Sequence, residues 1–338
     1  MRLVLDAMGS DAHPEPEVHA VVEAARRWPE DTFYLVGQEP RLRPLLEALQ
    51  PPDNVVLVHA PEVFAMTDKP GETVRRKPNT SMAVGMRMVK EGQADAFVTA
   101  GNTGGALANA LFILGRIRGV RRPGLMGAFP TRGARTLVMD IGANAECKPE
   151  YLLQFAIMAS IYAEQVLGRA RPRVGLLSNG EEAGKGNDLV KATYPLLETS
   201  GLNFIGNVEP KEVFAGVADV VVTDGFTGNV FLKTSEAVVG LLVDVLKDAL
   251  MASARTKVGA LLAKPAFGRL KAMLDPSEAG AAPLLGINGL VFVGHGRSDA
   301  RALVAALRTA REAVQVRLLE QLAAGIAARL RSPNPTQG

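Results

Sequence analysis

The sequence predicts an α/β fold with a mainly parallel sheet. Short apolar runs rich in Val, Leu and Phe recur along the chain, polar loops containing Gly, Asn or Asp follow many of them, and a helical pattern often comes next. This alternation of strand, loop and helix is typical of parallel α/β proteins. No Pro-, Gly- or Ser-rich linker cleanly divides the chain. We therefore expect one α/β domain over residues 1–331 and a flexible tail over residues 332–338.

Apolar runs provide the predicted strands. In chain order they are Leu3–Leu5, Phe33–Val36, Val55–Val58, Ala96–Thr99, Thr136–Met139, Val174–Leu177, Phe204–Ile205, Val220–Thr223 and Leu290–Val293. A helix is predicted to begin within residues 78–81, where Asn79, Thr80 or Ser81 provides the cap. Ligands of parallel α/β folds bind beyond the carboxyl ends of the strands, so we expect the loops there to carry the chemistry.

Three segments near the C-terminus have helical periodicity. Residues 238–251 place Leu and Val side chains on one stripe, and residues 299–331 predict a long helix whose apolar face packs into the core. Residues 254–274 form a basic segment in which Pro265 must break or kink the helix. Its basic residues include Lys257, Lys264, Arg269 and Lys271. Such a segment can lie in a membrane interface or meet an acidic partner, and the alternative is a solvated arm in a dimer contact.

The composition excludes several classes of protein. Hydrophobic residues make up 47% of the 338 residues and charged residues 22%, which is typical of a globular protein and not of a disordered one. The net charge of +3 is too small for a general nucleic-acid binder. A single cysteine excludes an internal disulfide framework and a cysteine-rich zinc site, and the four histidines lack metal-ligand spacing, so no metal site is predicted.

The distribution of apolar residues predicts a soluble, intracellular protein. Asp6 interrupts the N-terminal apolar run far short of a signal-peptide core. No apolar run approaches the roughly 18 residues that a membrane-spanning helix needs. The single cysteine is consistent with a reducing compartment. Any membrane contact is therefore expected to be peripheral.

Polar, glycine-rich loops follow six of the predicted strands. They cover residues 6–11, 100–105, 140–144, 178–187, 224–229 and 294–299. Gly, Asn and Asp are also the common turn formers, so one or two such loops would need no further explanation. Six of them favour a shared ligand site.

Two of these regions have features of an anion site. The loop Gly101–Gly104 lies between a strand and a helix, where backbone N–H groups and the helix N-terminus favour a negative charge. It lacks the Lys-Ser/Thr of a Walker A loop and the dinucleotide fingerprint, so no nucleotide cofactor is expected. Arg75, Arg76 and Lys77 precede the helix start at Ser81, and together they form a plausible phosphate cradle. Capping by Ser81 and a solvated charge cluster are the alternatives.

Candidate catalytic side chains occur in the same loops. His295 lies between two glycines in a loop that follows a strand, and it is the best placed of the histidines. Lys185 also lies between two glycines, where an ordinary surface lysine is the alternative. Ser178 lacks the Gly-x-Ser-x-Gly pattern of a nucleophile elbow. Cys147 has no histidine near it in sequence, and a lone cysteine is more often a small buried hydrophobe.

The order and spacing of the loops resemble those of the phosphate acyltransferases, which make acyl phosphate from acyl-acyl carrier protein and inorganic phosphate. The similarity covers nearly the whole chain. The matching segments are Asp6–Gly9, Thr80–Met82, Thr99–Gly104, Asp140–Asn144, Cys147–Pro149, Leu153–Phe155, Leu177–Gly180, Glu182–Gly186, Asp224–Asn229 and Gly294–Gly296. Each match is weak alone, whereas their joint order is specific.

This resemblance implies a Rossmann-like three-layer α/β/α fold, related to isocitrate and isopropylmalate dehydrogenases and to phosphotransacetylases. It implies a homodimer without a cofactor that acts at the start of bacterial phospholipid synthesis. It also implies a cytoplasmic protein that associates reversibly with the inner face of the cell membrane, near a downstream glycerol-3-phosphate acyltransferase. A protruding helical arm at about residues 236–282 would make that contact, which gives the basic segment a role.

The implied reaction needs phosphate binding, a positioned thioester and oxyanion stabilisation. Phosphate is largely deprotonated near neutral pH, since its second pKa is about 6 in esters, and the thiol leaving group has a pKa of about 8.5. Glycine loops, amides and a few cations suit this task. The expected phosphate and substrate residues are Arg75, Ser81, Gly101, Asn102, Thr103, Gly104, Asp140, Asn144 and Asp224. The expected catalytic residues are Lys185, Asn229 and His295, which face the oxyanion or the thiol.

Three alternatives remain open at the level of sequence. A phosphotransacetylase-like enzyme would use acyl-coenzyme A, which presents the same pantetheine arm. A decarboxylating dehydrogenase would need a carboxylate cluster for a divalent metal, for which Asp219 and Asp224 are too few. A non-catalytic fatty-acid or membrane-binding module would leave the polar loops unexplained. The acidic carrier protein is expected to dock on the basic segment or on Arg116–Arg122.

Overall fold

An 11-stranded sheet forms the centre of the molecule, and helices cover both of its faces. The computed structural model describes residues 1–131, 135–274 and 280–331. The strands are β1 (Arg2–Asp6), β2 (Thr32–Gly37), β3 (Val55–His59), β4 (Ala96–Thr99), β5 (Gly124–Pro130), β6 (Arg135–Met139), β7 (Arg173–Leu177), β8 (Asn203–Val208), β9 (Val220–Val222), β10 (Ala282–Leu285) and β11 (Leu290–Val293). Their order across the sheet is β3-β2-β1-β4-β11-β10-β5-β6-β9-β7-β8.

Helices follow most of the strands. They are α1 (Glu15–Arg27), α2 (Glu39–Ala48), α3 (Pro70–Arg76), α4 (Ser81–Lys90), α5 (Thr103–Asn109), α6 (Pro149–Gln165), α7 (Asp188–Glu198), α8 (Pro210–Ala215), α9 (Gly225–Met251), α10 (Ala254–Leu262), α11 (Lys264–Leu274), α12 (Ala300–Gln315) and α13 (Leu318–Arg331). A π-helical turn, Ala110–Leu114, continues α5. The predicted α/β fold with a mainly parallel sheet is confirmed.

The sheet changes direction at its centre. β10 is antiparallel to both of its neighbours and β5 is antiparallel to β6, whereas the other pairs of described strands are parallel. Ala282 pairs with Val293, and Leu285 pairs with Gly124. β11 therefore ends beside the start of β10, and β6 ends beside the start of β5. As a result, the carboxyl ends of β11 and β6 lie at opposite ends of β10.

The two strands that create this reversal, β5 and β10, are absent from the predicted set. β5 contains two glycines and ends at Pro130, and β10 has four residues with Pro283 in second place. Glycine and proline weaken the strand signal of a sequence. Pairing with neighbouring strands determines the structure of these segments, and a local pattern cannot show it.

Two apolar layers cover the sheet. One contains α1, α6, α12 and α13, with Phe155 and Leu307 fully buried in it. The other contains α4, α5, α8 and the first part of α9, with Met86 and Val213 fully buried. Side chains of this size stabilise a fold by about 1.5–3 kcal/mol each when they leave water. The sheet is therefore fixed from both faces, and its strand ends are held in place.

The C-terminal stretch is two helices and not one. Asp299 caps α12 by accepting a hydrogen bond from the Ala302 N–H at 2.8 Å. A turn containing Arg317, with a left-handed φ of 51°, separates α12 from α13. The prediction of one helix over residues 299–331 is wrong at this turn, because neither glycine nor proline marks it in the sequence. The predicted apolar face packs into the core, where Leu303 and Leu322 are buried.

The second half of α9 and the following helices form an exposed arm. Leu241 and Leu242 are each 63% exposed, and Leu262 of α10 is 79% exposed. The helical path breaks at Ala263, two residues before Pro265, as the sequence predicts. Lys257 and Lys264 are exposed on α10 and α11, and α11 also contains Arg269 and Lys271. Residues 275–279 of the expected arm and the tail at 332–338 lie outside the described residues.

None of the described helices combines the length and the apolar composition that crossing a bilayer requires.

Candidate active site

A cavity of about 700 Å³ lies along β5 and is lined by α5 and the first half of α9. Its volume falls within the range of about 300–1,000 Å³ that is usual for ligand pockets. Four of the predicted site residues line it: Thr103 and Gly104 of α5, Asn229 of α9, and His295 from the loop after β11. The structure therefore brings these four residues, predicted from three separate loops, to one cavity.

The six polar loops divide into two groups. The loops after β1, β4 and β11 lie at one end of the central strands, and those after β6, β7 and β9 lie at the other. The six loops do not all lie at one edge of the sheet, because β5 and β10 reverse the direction of its second half. The cavity spans both groups, since Thr103 and His295 come from one and Asn229 from the other.

The loop before α5 is held rigidly. The Gly101 N–H donates to Thr99 Oγ1 at 2.9 Å, and Thr99 Oγ1 donates to the Asp6 carboxylate at 2.7 Å. Asn102 caps α5 by accepting from the Gly105 N–H at 2.9 Å, and its Nδ2 donates to the Met66 carbonyl at 2.8 Å. Gly101 and Asn102 therefore fix the conformation of the loop through hydrogen bonds within the protein. Thr103 and Gly104 line the cavity.

The predicted phosphate cradle at Arg75 and Ser81 does not contribute to the lining of this cavity. Thr80, and not Ser81, caps α4 by accepting from the Ala83 N–H at 3.2 Å. Ser81 is 1% exposed, and its side chain hydrogen-bonds to the buried Asp6. Burial raises the pKa of the Asp6 carboxyl, and the hydrogen bonds to it act in the opposite direction. Arg75 is exposed on α3, and neither it nor Ser81 is among the described residues that line the cavity.

Three predicted acidic or amide residues organise the loops at the other end of the sheet. The buried Asp140 accepts hydrogen bonds from the backbone N–H groups of residues 125, 142, 143 and 144 and from Asn144 Nδ2, at 2.7–3.1 Å. Burial raises its pKa, and these donors lower it. Asp224 caps α9 by accepting from the Thr227 N–H at 2.9 Å. These hydrogen bonds give a structural role to each of the three residues, Asp140, Asn144 and Asp224.

Asn229 lies one turn into α9 and faces the cavity. Its Nδ2 donates to the Ile141 carbonyl at 3.2 Å. Gly142 has a φ of +144°, and a Cβ at this residue would lie 2.6 Å from Asn229 Nδ2. Gly228, one residue earlier, meets the Asp140 carbonyl so closely that a Cβ would overlap it at 1.9 Å. Glycines in both elements therefore allow the helix to carry Asn229 against the loop.

A charged group outside the predicted set of site residues lies beside His295. Glu236 of α9 approaches His295 Nε2 at 3.6 Å and Arg297 Nη2 at 3.6 Å, and all three residues line the cavity. Lys233 adds a further cation to the lining. Asn229, Lys233, Glu236 and Gly240 recur at intervals of three or four residues. That spacing on a predicted helix is the signal that would have identified Lys233 and Glu236.

Lys185 and Cys147 lie outside the cavity lining. Lys185 is exposed in the loop after β7, its backbone N–H donates to the Glu182 carbonyl at 2.9 Å, and its side chain lies against Gly180. Burial raises the pKa of the Cys147 thiol to about 12, so it is not a thiolate near neutral pH. In the described part of the chain, no group of three or more His, Cys, Asp or Glu side chains is arranged to hold a metal ion.

Comparison with solved structures supports the fold. A phosphotransacetylase from Streptococcus pyogenes aligns with a TM-score of 0.58 at 19% identity, covering 94% of both chains. A 4-hydroxythreonine-4-phosphate dehydrogenase from Burkholderia phymatum aligns with a TM-score of 0.50 at 15% identity, covering 92% of this chain and 97% of that one. The expected similarity of the fold to phosphotransacetylases is confirmed, and the fold is also similar to that of a dehydrogenase.

Comparison of sequences identifies the family. The family model described as "Fatty acid synthesis protein" matches residues 1–321. The phosphate acyltransferase of Pelotomaculum thermopropionicum is 45% identical over 96% of this chain and 95% of its own. That of Acidobacterium capsulatum is 47% identical over 96% of this chain and 97% of its own. The chain therefore belongs to the family of the phosphate acyltransferases, and it is an acyltransferase.

Proposed function

We propose that the protein transfers a fatty acyl group from acyl-acyl carrier protein to inorganic phosphate. The acyl phosphate product would supply the acylation of glycerol 3-phosphate in phospholipid synthesis. The observation that carries the proposal is the cavity, in which polar groups from α5, α9 and the loop after β11 meet an apolar interior along β5. A fatty thioester has the same division between a polar reacting centre and an apolar tail.

The reaction balances without a cofactor. An oxygen of hydrogen phosphate attacks the thioester carbonyl carbon, the carbon–sulfur bond breaks, and the proton of the phosphate ends on the released thiol. The negative charge that develops on the carbonyl oxygen requires donors fixed in advance. The Asn229 amide and the His295 ring are the candidate donors in the cavity lining, next to Glu236.

The phosphate would bind between α5 and the cations of the cavity. Thr103 offers a hydroxyl at the start of α5, and Gly104 lines the cavity beside it. Lys233 and Arg297 supply positive charge, of which Arg297 is partly neutralised by Glu236 at 3.6 Å. This arrangement holds a dianion without a metal, because fixed N–H groups and cations share its charge.

A direct assay tests the proposal. The purified protein is incubated with palmitoyl-acyl carrier protein, with and without inorganic phosphate, and the release of free thiol is followed. We expect phosphate-dependent release and an acyl phosphate that hydroxylamine traps as a hydroxamate. A parallel reaction with palmitoyl-coenzyme A identifies the preferred donor, because both thioesters present the same pantetheine arm. Absence of release from the carrier protein by a folded enzyme would contradict the proposal.

Lys185 is tested separately, because it belongs to the predicted catalytic set but lies outside the cavity lining. If it contacts the bound donor, Lys185→Ala lowers kcat by about tenfold or more, which is the loss of about 1.4 kcal/mol of transition-state stabilisation. Lys191→Ala on α7 is the matched control, since Lys191 is also exposed and follows the same loop. Undiminished turnover of Lys185→Ala would remove Lys185 from the catalytic set.

The exposed arm supports a proposal about partners. We propose that the enzyme is a cytoplasmic homodimer that binds reversibly to the inner face of the cell membrane, near a downstream glycerol-3-phosphate acyltransferase. Exposed leucines on α9 and α10, with Lys257 and Lys264 beside them, have the composition of an interfacial surface. An apolar product of low solubility would then be released close to the enzyme that consumes it.

A further inference from the structure

The central sheet is open along part of β10. Leu284 and Leu285 pair with β5, whereas Ala282 and Pro283 pair only with β11 in the described part of the chain. Proline has no N–H to donate to a neighbouring strand. β5 and β10 therefore separate beyond their two paired positions and leave a wedge between them, which we call the sheet opening.

The cavity passes through the sheet opening. Phe214 of α8 and Leu232 of α9 line it from one helical layer. Tyr162 of α6 and Thr309 of α12 line it from the layer on the other face of the sheet. A cavity that stays on one face of a continuous sheet cannot touch helices of both layers.

The burial of β5 agrees with this path. Gly127 and Ala128 are only half-buried, although they lie in the middle of a strand at the centre of the sheet. Their neighbours Met126 and Phe129 are 1% and 3% exposed. This pattern of exposure is expected for a strand that borders a cavity along one edge, here the edge of β5 that faces β10. A central strand that is paired along both edges is expected to be buried throughout.

The section of the cavity beyond the sheet opening is mainly apolar. Met126, Leu137 and Ala281 contribute to its walls. At its inner end, Thr309 Oγ1 donates to the Ala305 carbonyl at 3.1 Å, so this hydroxyl already has a partner. Burial raises the pKa of the Tyr162 phenol, which is neutral at physiological pH. Apart from Arg135 of β6, which also lines the cavity, the described residues on this side present hydrocarbon and uncharged groups to a ligand.

We propose that the fatty acyl tail threads through the sheet opening and ends between α6 and α12, so that Tyr162 and Thr309 limit the length of chain accepted. The inference rests on the proposed function, since it assigns a place to the tail of that substrate. The thioester stays with Asn229 and His295 on one face of the sheet, and the distal carbons lie on the other face. Each methylene group that leaves water for an apolar site changes binding by roughly a factor of four, so the depth of this section selects among chain lengths.

A blocking variant tests the path. Ala128 packs toward the layer of α6 and α12, so Ala128→Leu narrows the cavity just beyond the sheet opening. We expect kcat/KM for palmitoyl-acyl carrier protein to fall by about tenfold or more, while that for a hexanoyl donor stays within about twofold. Ala327→Leu on α13 is the matched control, because it adds the same volume at a half-buried alanine outside the cavity. An equal loss for both donors, or no loss for either, would overturn the proposal.

A second measurement uses the unaltered protein and does not depend on how Ala128→Leu folds. A palmitoyl-acyl carrier protein with a diazirine at the terminal carbon is irradiated with the wild type, and the labelled peptides are mapped. We expect label on residues 149–165 and 300–315. Label confined to residues 225–262, or no label on the body, places the tail elsewhere and overturns the inference. Failure of the proposed function is distinct, because the wild type would then release no thiol with either chain length.

Discussion

Asn229 belongs to the predicted catalytic set and also lies in the wall of the cavity. It lines the cavity, and its amide reaches the Ile141 carbonyl at 3.2 Å, so its orientation is fixed before a substrate binds. If it stabilises the oxyanion, Asn229→Ala lowers kcat by about 10²-fold, the usual loss when one such donor is removed. Steady-state assays with palmitoyl-acyl carrier protein measure this, and Asn203→Ala at the start of β8 is the control. A normal kcat in Asn229→Ala would exclude the donor role.

Glu17 gives a prediction about pH and stability. It is fully buried at the start of α1 and accepts a hydrogen bond from the Ser10 N–H at 2.9 Å. Burial raises its pKa above the unfolded value of about 4.3. Between the unfolded and the folded pKa of Glu17, the folded state therefore binds more protons than the unfolded state. The stability linked to Glu17 is lost as the pH rises through the folded pKa.

The comparison of Glu17→Gln with the wild type isolates this effect. The variant cannot ionise at this position. Its free energy of unfolding should therefore increase relative to that of the wild type as the pH rises from about 4 to 8. Urea unfolding at several pH values measures the difference. Glu15→Gln in the same turn, where the side chain is exposed, should show no such trend. A constant difference between Glu17→Gln and the wild type would refute the assignment.

At the scale of elements, the strands with a regular apolar pattern were predictable from the sequence. Ala96–Thr99 and Leu290–Val293 match β4 and β11 at both ends. β5 and β10 were not predictable, because Pro130, Pro283 and the glycines of β5 hide strands that exist through their pairing. Those two strands decide which loops meet. The sequence therefore predicted the site as a set of loops, but it did not predict how these loops are arranged.

The arm helices carry a prediction about membrane contact. Leu261 and Leu262 of α10 are 69% and 79% exposed, and transferring two leucines out of a bilayer interface should weaken binding by at least about tenfold. Flotation of the protein with anionic phospholipid vesicles should show this loss in the variant Leu261→Ser with Leu262→Ser. Leu167→Ser, at an exposed leucine after α6, is the control. Unchanged flotation together with a shift from dimer to monomer would instead assign these leucines to a contact between subunits.

At the scale of the whole molecule, the net charge of +3 conceals local basic regions. If the acidic carrier protein docks on the arm, raising the salt concentration should increase its KM and leave kcat nearly constant, because salt screens exposed charges over about 8–10 Å. Lys257→Gln with Lys264→Gln should flatten this dependence, whereas Lys191→Gln should not. A salt-dependent KM that the arm substitutions leave unaltered would move the docking surface to Arg116–Arg122. A salt-independent KM would contradict electrostatic docking altogether.

Helix α9 connects the cavity with the exposed arm. The helix is 27 residues long, or about 40 Å, and its first turn is fixed where Gly228 touches the Asp140 carbonyl. Glu236 and Asn229 lie near this fixed end, and the exposed leucines lie far from it. The helix therefore runs without interruption from the loops at the cavity to the exposed leucines. If a lipid surface or a second subunit binds the arm, α9 would connect that contact directly with Asn229 and Glu236 in the wall of the cavity.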